Sequence, residues 1–192
     1  MIPSERAGIF ERPRSRIAET WDAGTLGREA LACADALHNL ARYLTGNDTD
    51  ADDLVQETYA RALQAAGQFT PGTNLKAWLC RILRNTFISR YRRSRNNPVV
   101  NGFETVASTV AVDEPLFLDD VELDRLQKVV GAEIEAALMA LSEDARTVIL
   151  LDLDGLTDQE MADVMGCAPG TVKSRLARAR AALRRSLKDY AR

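Results

Sequence analysis

Residues 156–183 read LTDQEMADVMGCAPGTVKSRLARARAAL, and they carry the punctuation of two helices joined by a tight turn. Thr157 followed by Glu160 has the form of a capping box, so a first helix is predicted from about Asp158 to Met165. Gly166 supplies the turn, and Pro169 sits where a helix begins without needing its missing N–H. On the second helix Val172, Leu176, Ala179 and Leu183 recur at helical spacing and form the inward face. Lys173, Ser174, Ala177 and Arg178 then point outward together, as a helix that reads base edges in a major groove requires. Arg175, Arg180, Arg184 and Arg185 flank them and suit phosphate contacts, which position a protein without reading sequence.

The rest of the chain makes this basic helix conspicuous. Across 192 residues there are 25 Lys and Arg against 28 Asp and Glu, a formal charge of −3, so bulk electrostatics would repel a polyanion. Affinity for nucleic acid must come from local segregation of charge. The bland alternative is a basic helical face that is merely solvated. Against it stand the absence of any acid between Cys167 and Arg185, the turn signature and the inward apolar stripe.

Composition bounds the other possibilities. With 46% hydrophobic and 28% charged residues the chain has the makeup of a soluble globular protein able to bury a core. No run reaches the roughly 18 apolar residues of a membrane span. The amino terminus MIPSERAGIFERPRSR lacks a signal peptide's apolar stretch, so no membrane insertion and a cytoplasmic location are expected. Cys33, Cys80 and Cys167 are far apart, without a CxxC pair, and read as reduced thiols. His38 is the only histidine, which leaves little for a zinc site or a His-based triad. No enzymatic constellation, metal, cofactor or small-molecule substrate is expected.

Helical period dominates, so the fold class is all-α: two small helical modules joined by an acidic flexible linker, the C-terminal one a helix-turn-helix. An N-terminal extension covers residues 1–25, a first module 26–96, the linker 97–128 and the second module 129–192. GREALACADALHNLARYLTGN reads as one helix with Leu31, Leu37, Leu40, Ala41 and Leu44 on its stripe and a stop at Gly46-Asn47. In DTDADDLVQETYARALQAAG, which starts with Asp and Thr capping candidates, Leu54, Val55, Thr58, Tyr59, Ala62 and Leu63 share one face. Asp52, Asp53, Gln56 and Glu57 share the other, which on the residues alone is a solvated acidic surface. After the loop QFTPGTN, a third helix buries Leu75, Leu79, Ile82 and Leu83 and carries Lys76, Arg81, Arg84, Arg90, Arg92, Arg93 and Arg95. From NNPVVNG to about Asp124 the pattern fails at Pro98, Gly102 and Pro115, while Asp113, Glu114, Asp119, Asp120, Glu122 and Asp124 make the segment acidic.

The stretch LTGNDTDADDLVQETYARALQAAGQFTPGTNLKAWLCRILRNTFISRYRRSR, taken with ALSEDARTVILLDLDGLTDQEMADVMGCAPGTVKSRLARARAAL, closely resembles the extracytoplasmic-function group of bacterial RNA polymerase sigma factors in the sigma-70 family. The match covers about residues 26–95 and 132–187, in the family's order. The resemblance implies a transcription initiation factor, not itself an enzyme, whose partners are core RNA polymerase, promoter DNA and an anti-sigma factor. By position, Asp52, Asp53, Gln56 and Glu57 become the polymerase-binding face. Single-stranded minus-ten DNA would meet Phe69 and Asn74 in the pocket loop, with Lys76, Arg81, Arg84, Asn85, Arg92 and Arg93 on or beside the following helix. An unstacked base needs donors, acceptors and apolar walls, and its backbone needs positive charge. Trp78 and Phe87 suit core packing better than base stacking. The minus-thirty-five element would be read as duplex by Thr171, Lys173, Ser174, Arg175, Ala177, Arg178 and Arg180. Ala177 stands where some relatives carry a large aromatic, so their preferred sequence does not transfer.

Three segments stay open on this reading. The acidic linker either mimics nascent RNA in the polymerase's basic exit path or is a plain tether that allows closed and open arrangements of the modules. Phe10, Ile17 and Trp21 of the extension belong to a disordered segment, or to a short helix that docks on an anti-sigma factor or on the first module. The protein would sit with polymerase on the nucleoid, or be held by its anti-sigma factor. Two rivals remain: a free-standing helix-turn-helix regulator, and a sigma-like decoy that titrates an anti-sigma protein. Retention of two basic helices argues against both.

Overall fold

The structure, a computed structural model, describes residues 22–96 and 120–188, with side chains over 22–93 and 130–188. The extension with Phe10, Ile17 and Trp21, and the linker acids Asp113, Glu114 and Asp119, lie outside the described residues. Among the described residues there are eight α-helices, one 3-10 turn and no strand, in agreement with the all-α expectation.

The first helices differ from the single helix expected. α1 spans Ala23–Leu31, capped by Asp22, whose Oδ1 accepts from the Thr25 N–H at 2.7 Å. The amides of Ala32 and Cys33 then bond to carbonyls only three residues back, Glu29 and Ala30, and the tightened turn ends the helix before α2, Ala34–Thr45, begins. That break moves the stripe. Leu26, Ala30, Cys33, Leu37, Leu40 and Ala41 go inside, while Leu31 stands 69% exposed. Gly46, with φ 81°, stops α2 in the left-handed region where a side chain would be strained.

α3, Asp48–Gln64, is capped by Asn47 and not by the expected Asp or Thr: the Asn47 Oδ1 accepts from the Asp50 N–H at 2.8 Å. Its inner face is Ala51, Leu54, Thr58 and Ala62, and the buried Thr58 hydroxyl satisfies itself by donating to the Leu54 carbonyl. A 3-10 turn, Ala66–Gln68, leads through a short loop into α4, Leu75–Asn96. Asn74 begins that helix, its Oδ1 accepting from the Ala77 N–H at 3.2 Å. Leu37, Leu40, Leu54, Leu79 and Leu83 are fully buried where α2, α3 and α4 meet, each stabilising the fold by about 1.5–3 kcal/mol.

α5, Asp120–Met139, begins inside the segment read as linker. No proline follows Pro115 until Pro169, and Asp120 and Glu122 suit the start of a helix, where its dipole favours acids. α6, Glu143–Leu153, runs through the core of the second half, with Thr147 to Leu151 all inside. α7, Asp158–Met165, and α8, Pro169–Ser186, form the helix-turn-helix, with α7 over the predicted span and α8 starting at the predicted proline. The Thr157–Glu160 capping box is complete, Gly166 turns the chain at φ 64°, and Pro169 opens α8. Val172, Leu176 and Ala179 are buried, and Leu183 packs against the same core.

The two halves share one continuous apolar core. α7 lies against α4, and α6 lies against α2. This seam places the helix-turn-helix directly over the basic helix of the first half.

Candidate nucleic-acid interface

On α8 the outward face is as the periodicity predicts. Lys173, Ser174, Ala177, Arg178 and Arg180 are exposed, and Thr171 and Arg175 are half-buried at its edge. Arg178 folds back along the helix, its Nε donating to the Ser174 carbonyl at 3.1 Å, so its guanidinium lies over the surface beside Ser174. The face is less unopposed than the linear sequence implies. Asp158 at the start of α7 lies 3.6 Å from Lys173, Asp152 of α6 pairs with Arg180, and Asp144 of α6 lies 3.0 Å from Arg175. Acids outside the helix are brought beside it by the packing of α6 and α7 against α8.

The first-half residues assigned to single-stranded DNA divide into two groups. Lys76, Arg81 and Arg84 turn toward the helix-turn-helix. Lys76 Nζ donates to the Asp154 carbonyl at 3.1 Å, in the turn after α6. Arg81 is exposed and lines an open cleft with Ala162, Asp163, Gly166, Cys167 and Ala168. Arg84 is only 13% exposed; its Nη2 donates to Asp144 Oδ1 at 3.0 Å, its Nη1 reaches the Met165 carbonyl at 3.4 Å, and its buried Nε has no partner. Asn74 joins them through a hydrogen bond with Glu160, which, after a backbone bond at Thr157, helps hold that carboxyl below its usual range. Asn85, Arg92 and Arg93 remain exposed on α4.

Phe69, expected in the pocket loop, points inward. It is 3% exposed, with its ring centroid 5.4 Å from that of Trp78, and belongs to the core in this arrangement because the 3-10 turn folds it inward. Trp78 and Phe87 pack against that core, in keeping with the expectation that they suit core packing better than base stacking.

The acidic face of α3 is also divided. Asp52, Asp53 and Gln56 are exposed, with Asp52 3.3 Å from His38. Glu57 is not a free member of this face, because it bridges two helices. Arg61 of α3 lies 2.7 Å from one carboxylate oxygen and Arg90 Nε of α4 donates to the other at 2.6 Å. Burial pushes the Glu57 carboxyl up, and the hydrogen bonds from Arg61 and Arg90 outweigh it, leaving the pKa below the usual value of 4.5.

Sequence reasoning missed the residues of the seam. Asp144, Arg146, Arg42 and Glu135 carry no motif. Yet Asp144 meets Arg84 across 60 residues of chain, Arg146 reaches the Tyr43 carbonyl, and Arg42 lies 3.1 Å from Glu135. Only three-dimensional packing brings such partners together. Among the described residues no cluster of His, Cys, Asp and Glu could hold a metal ion, and no helix is long and apolar enough to cross a membrane.

Known proteins share this arrangement of motifs. The family description Sigma-70 region 2 matches residues 31–97, and Sigma-70, region 4 matches residues 131–183. The ECF RNA polymerase sigma factor EcfG of Rhodopseudomonas palustris is 40% identical over 160 residues, 83% of this chain and 83% of that protein. Among solved structures, the sigma factor RpoE in complex with the anti-sigma factor NepR from Bartonella quintana matches with a TM-score of 0.64 and 37% identity, over 84% of this chain and 96% of that one. CnrH in complex with the cytosolic domain of CnrY matches with a TM-score of 0.58 and 27% identity, over 88% and 90%. With both regions present, in order and on the expected helices, the chain belongs to the extracytoplasmic-function group of sigma-70 family RNA polymerase sigma factors.

Proposed function

We propose that the outward face of α8 reads the minus-thirty-five promoter element, with Lys173, Ser174, Ala177 and Arg178 toward base edges and Thr171, Arg175 and Arg180 toward phosphates. The loop before α4 and its basic face, Asn74, Lys76, Arg81, Arg84, Asn85, Arg92 and Arg93, take the minus-ten element as single strand. Asp52, Asp53 and Gln56 dock on core RNA polymerase. Members of this family are transcription factors rather than enzymes, so the polymerase performs the chemistry and this chain supplies recognition and binding energy for melting.

The observation that carries the reading is the geometry of α8: four assigned readers exposed on one side, with Val172, Leu176 and Ala179 buried on the other. A major groove admits a helix presented in this way. The packed modules represent a closed form. Lys76, Arg81 and Arg84 face α7 and the turns on either side of it, so engagement of both promoter elements requires the modules to part. Relatives solved with an anti-sigma factor support such a partner here, and association with polymerase places the protein in the cytoplasm.

The test is transcription by core polymerase from a promoter that this chain activates. Lys173→Ala with Arg178→Ala should lower initiation at least about tenfold, each lost base-edge contact costing about 1–3 kcal/mol. Unchanged initiation would remove α8 as the reader of the upstream element.

A further inference from the structure

Asp144 occupies an unusual position. Its two carboxylate oxygens are divided between the modules: Oδ1 accepts from Arg84 of α4, and Oδ2 lies 3.0 Å from Arg175 of α8. Both arginines are among those assigned above to nucleic acid. The other aspartates beside α8 stay within their own module. Lys173 with Asp158, and Arg180 with Asp152, are open enough to water for their attraction to be weak. The Arg84 side chain, in contrast, is nearly enclosed.

Two further features single out this carboxylate. Asp144 lies in the first turn of α6, where the helix dipole favours a negative charge. The Arg84 guanidinium is also incompletely satisfied, with its buried Nε unpaired while its two terminal nitrogens are engaged. A planar five-donor fork whose buried Nε–H is left over is less than fully matched by a carboxylate and one carbonyl.

We propose that Asp144 is an internal surrogate for promoter phosphate, a single carboxylate that holds a DNA-directed arginine from each module and thereby keeps the factor closed. The inference rests on the nucleic-acid reading of α4 and α8 and adds the residue that regulates it. Opening exchanges one shared carboxylate for separate phosphates, so DNA and closure compete for the same guanidiniums. Without the carboxylate, two positive side chains would face each other across the seam with nothing between them, and the closed form would lose one of its bridges and gain a repulsion.

The full chain carrying Asp144→Asn keeps the shape of the side chain and removes its charge. Arg84→Gln breaks the same link from the other module, and thermal melts followed by circular dichroism establish that each variant is folded. Small-angle scattering at low salt should show a larger radius of gyration for both variants than for the parent chain. Fluorescence anisotropy with a short mixed-sequence DNA duplex should show Asp144→Asn binding about three- to tenfold more tightly. The slope of log K against log salt should steepen by about 0.9, one added phosphate contact. Adding Arg175→Ala to Asp144→Asn should remove that gain. If Asp144→Asn changes neither the size nor the affinity while Arg175→Ala alone weakens duplex binding, the surrogate role is overturned and the reading of α8 stands. If Arg175→Ala has no effect in either background, the reading of α8 fails and takes the proposal with it, even if the particle opens.

Discussion

Replacing Arg146 by alanine removes one guanidinium that serves four backbone carbonyls. Its Nε donates to Leu138, its Nη2 to Met139 and Leu141, and its Nη1 to Tyr43 across the seam. Three of these acceptors lie at or just beyond the end of α5, where carbonyls have no helical partner, so Arg146 acts as that helix's cap from the neighbouring α6. Burial pushes its pKa down, and Glu143 opposes the shift. A hydrogen bond to a charged group contributes about 1.5–3 kcal/mol. Four such bonds would exceed the observed range for single substitutions, but this half-buried site admits water once the side chain is gone. The expected loss is therefore about 3 kcal/mol. For a chain of this size that corresponds to a melting point about 6–12 °C lower. Urea unfolding followed by circular dichroism measures it directly. Arg146→Lys should recover less than half of the loss, because an ammonium cannot present the planar fork. An Arg146→Ala chain within about 0.5 kcal/mol of the parent would refute the capping argument.

Other consequences are open to measurement. Because the Glu57 carboxyl is held below its usual value of 4.5, its clamp on Arg61 and Arg90 contributes stability that is full above that value and lost as pH falls through the lowered one. Glu57→Gln should therefore be destabilising at neutral pH and flatten the acid limb of the stability curve; an unchanged limb would deny the clamp. Asp52→Arg with Asp53→Arg should weaken competition for core polymerase at an unchanged melting point, whereas Glu57→Arg, which crowds three guanidiniums, should destabilise the fold by about 1–3 kcal/mol. Equal melting points for both variants would contradict that division of the acidic face. Burial pushes the Cys80 thiol up to about 12 and raises Cys33 also, while Cys167 is half-exposed. A thiol-disulfide reagent near pH 8 should label Cys167 quickly and the other two only on unfolding; three fast thiols would mean the core opens readily.

The helix-turn-helix was legible nearly residue by residue because its determinants are local. A capping box, a left-handed glycine and a proline at the first helical position each act within a few residues, and α7 and α8 follow them. Local signals failed at Ala32–Cys33, where alanine-rich sequence continues a helical pattern but the chain tightens into a turn, exposing Leu31. Site residues followed the same division. Exposure of Lys173, Ser174, Ala177 and Arg178 follows from the period of one helix. The inward position of Phe69, the sharing of Glu57 between α3 and α4, and the meeting of Arg84 with Asp144 depend on contacts between elements remote in sequence. Charge balance along the chain could not reveal that the acids of α6 lie beside the arginines of α8.

The most direct measurement is run-off transcription by purified core RNA polymerase, with and without this protein, on a fragment library from its own genome. Discrete new start sites sharing one element near minus ten and another near minus thirty-five are predicted, along with their loss on substitution of the α8 face. No transcripts, together with no binding to core enzyme, would contradict the account.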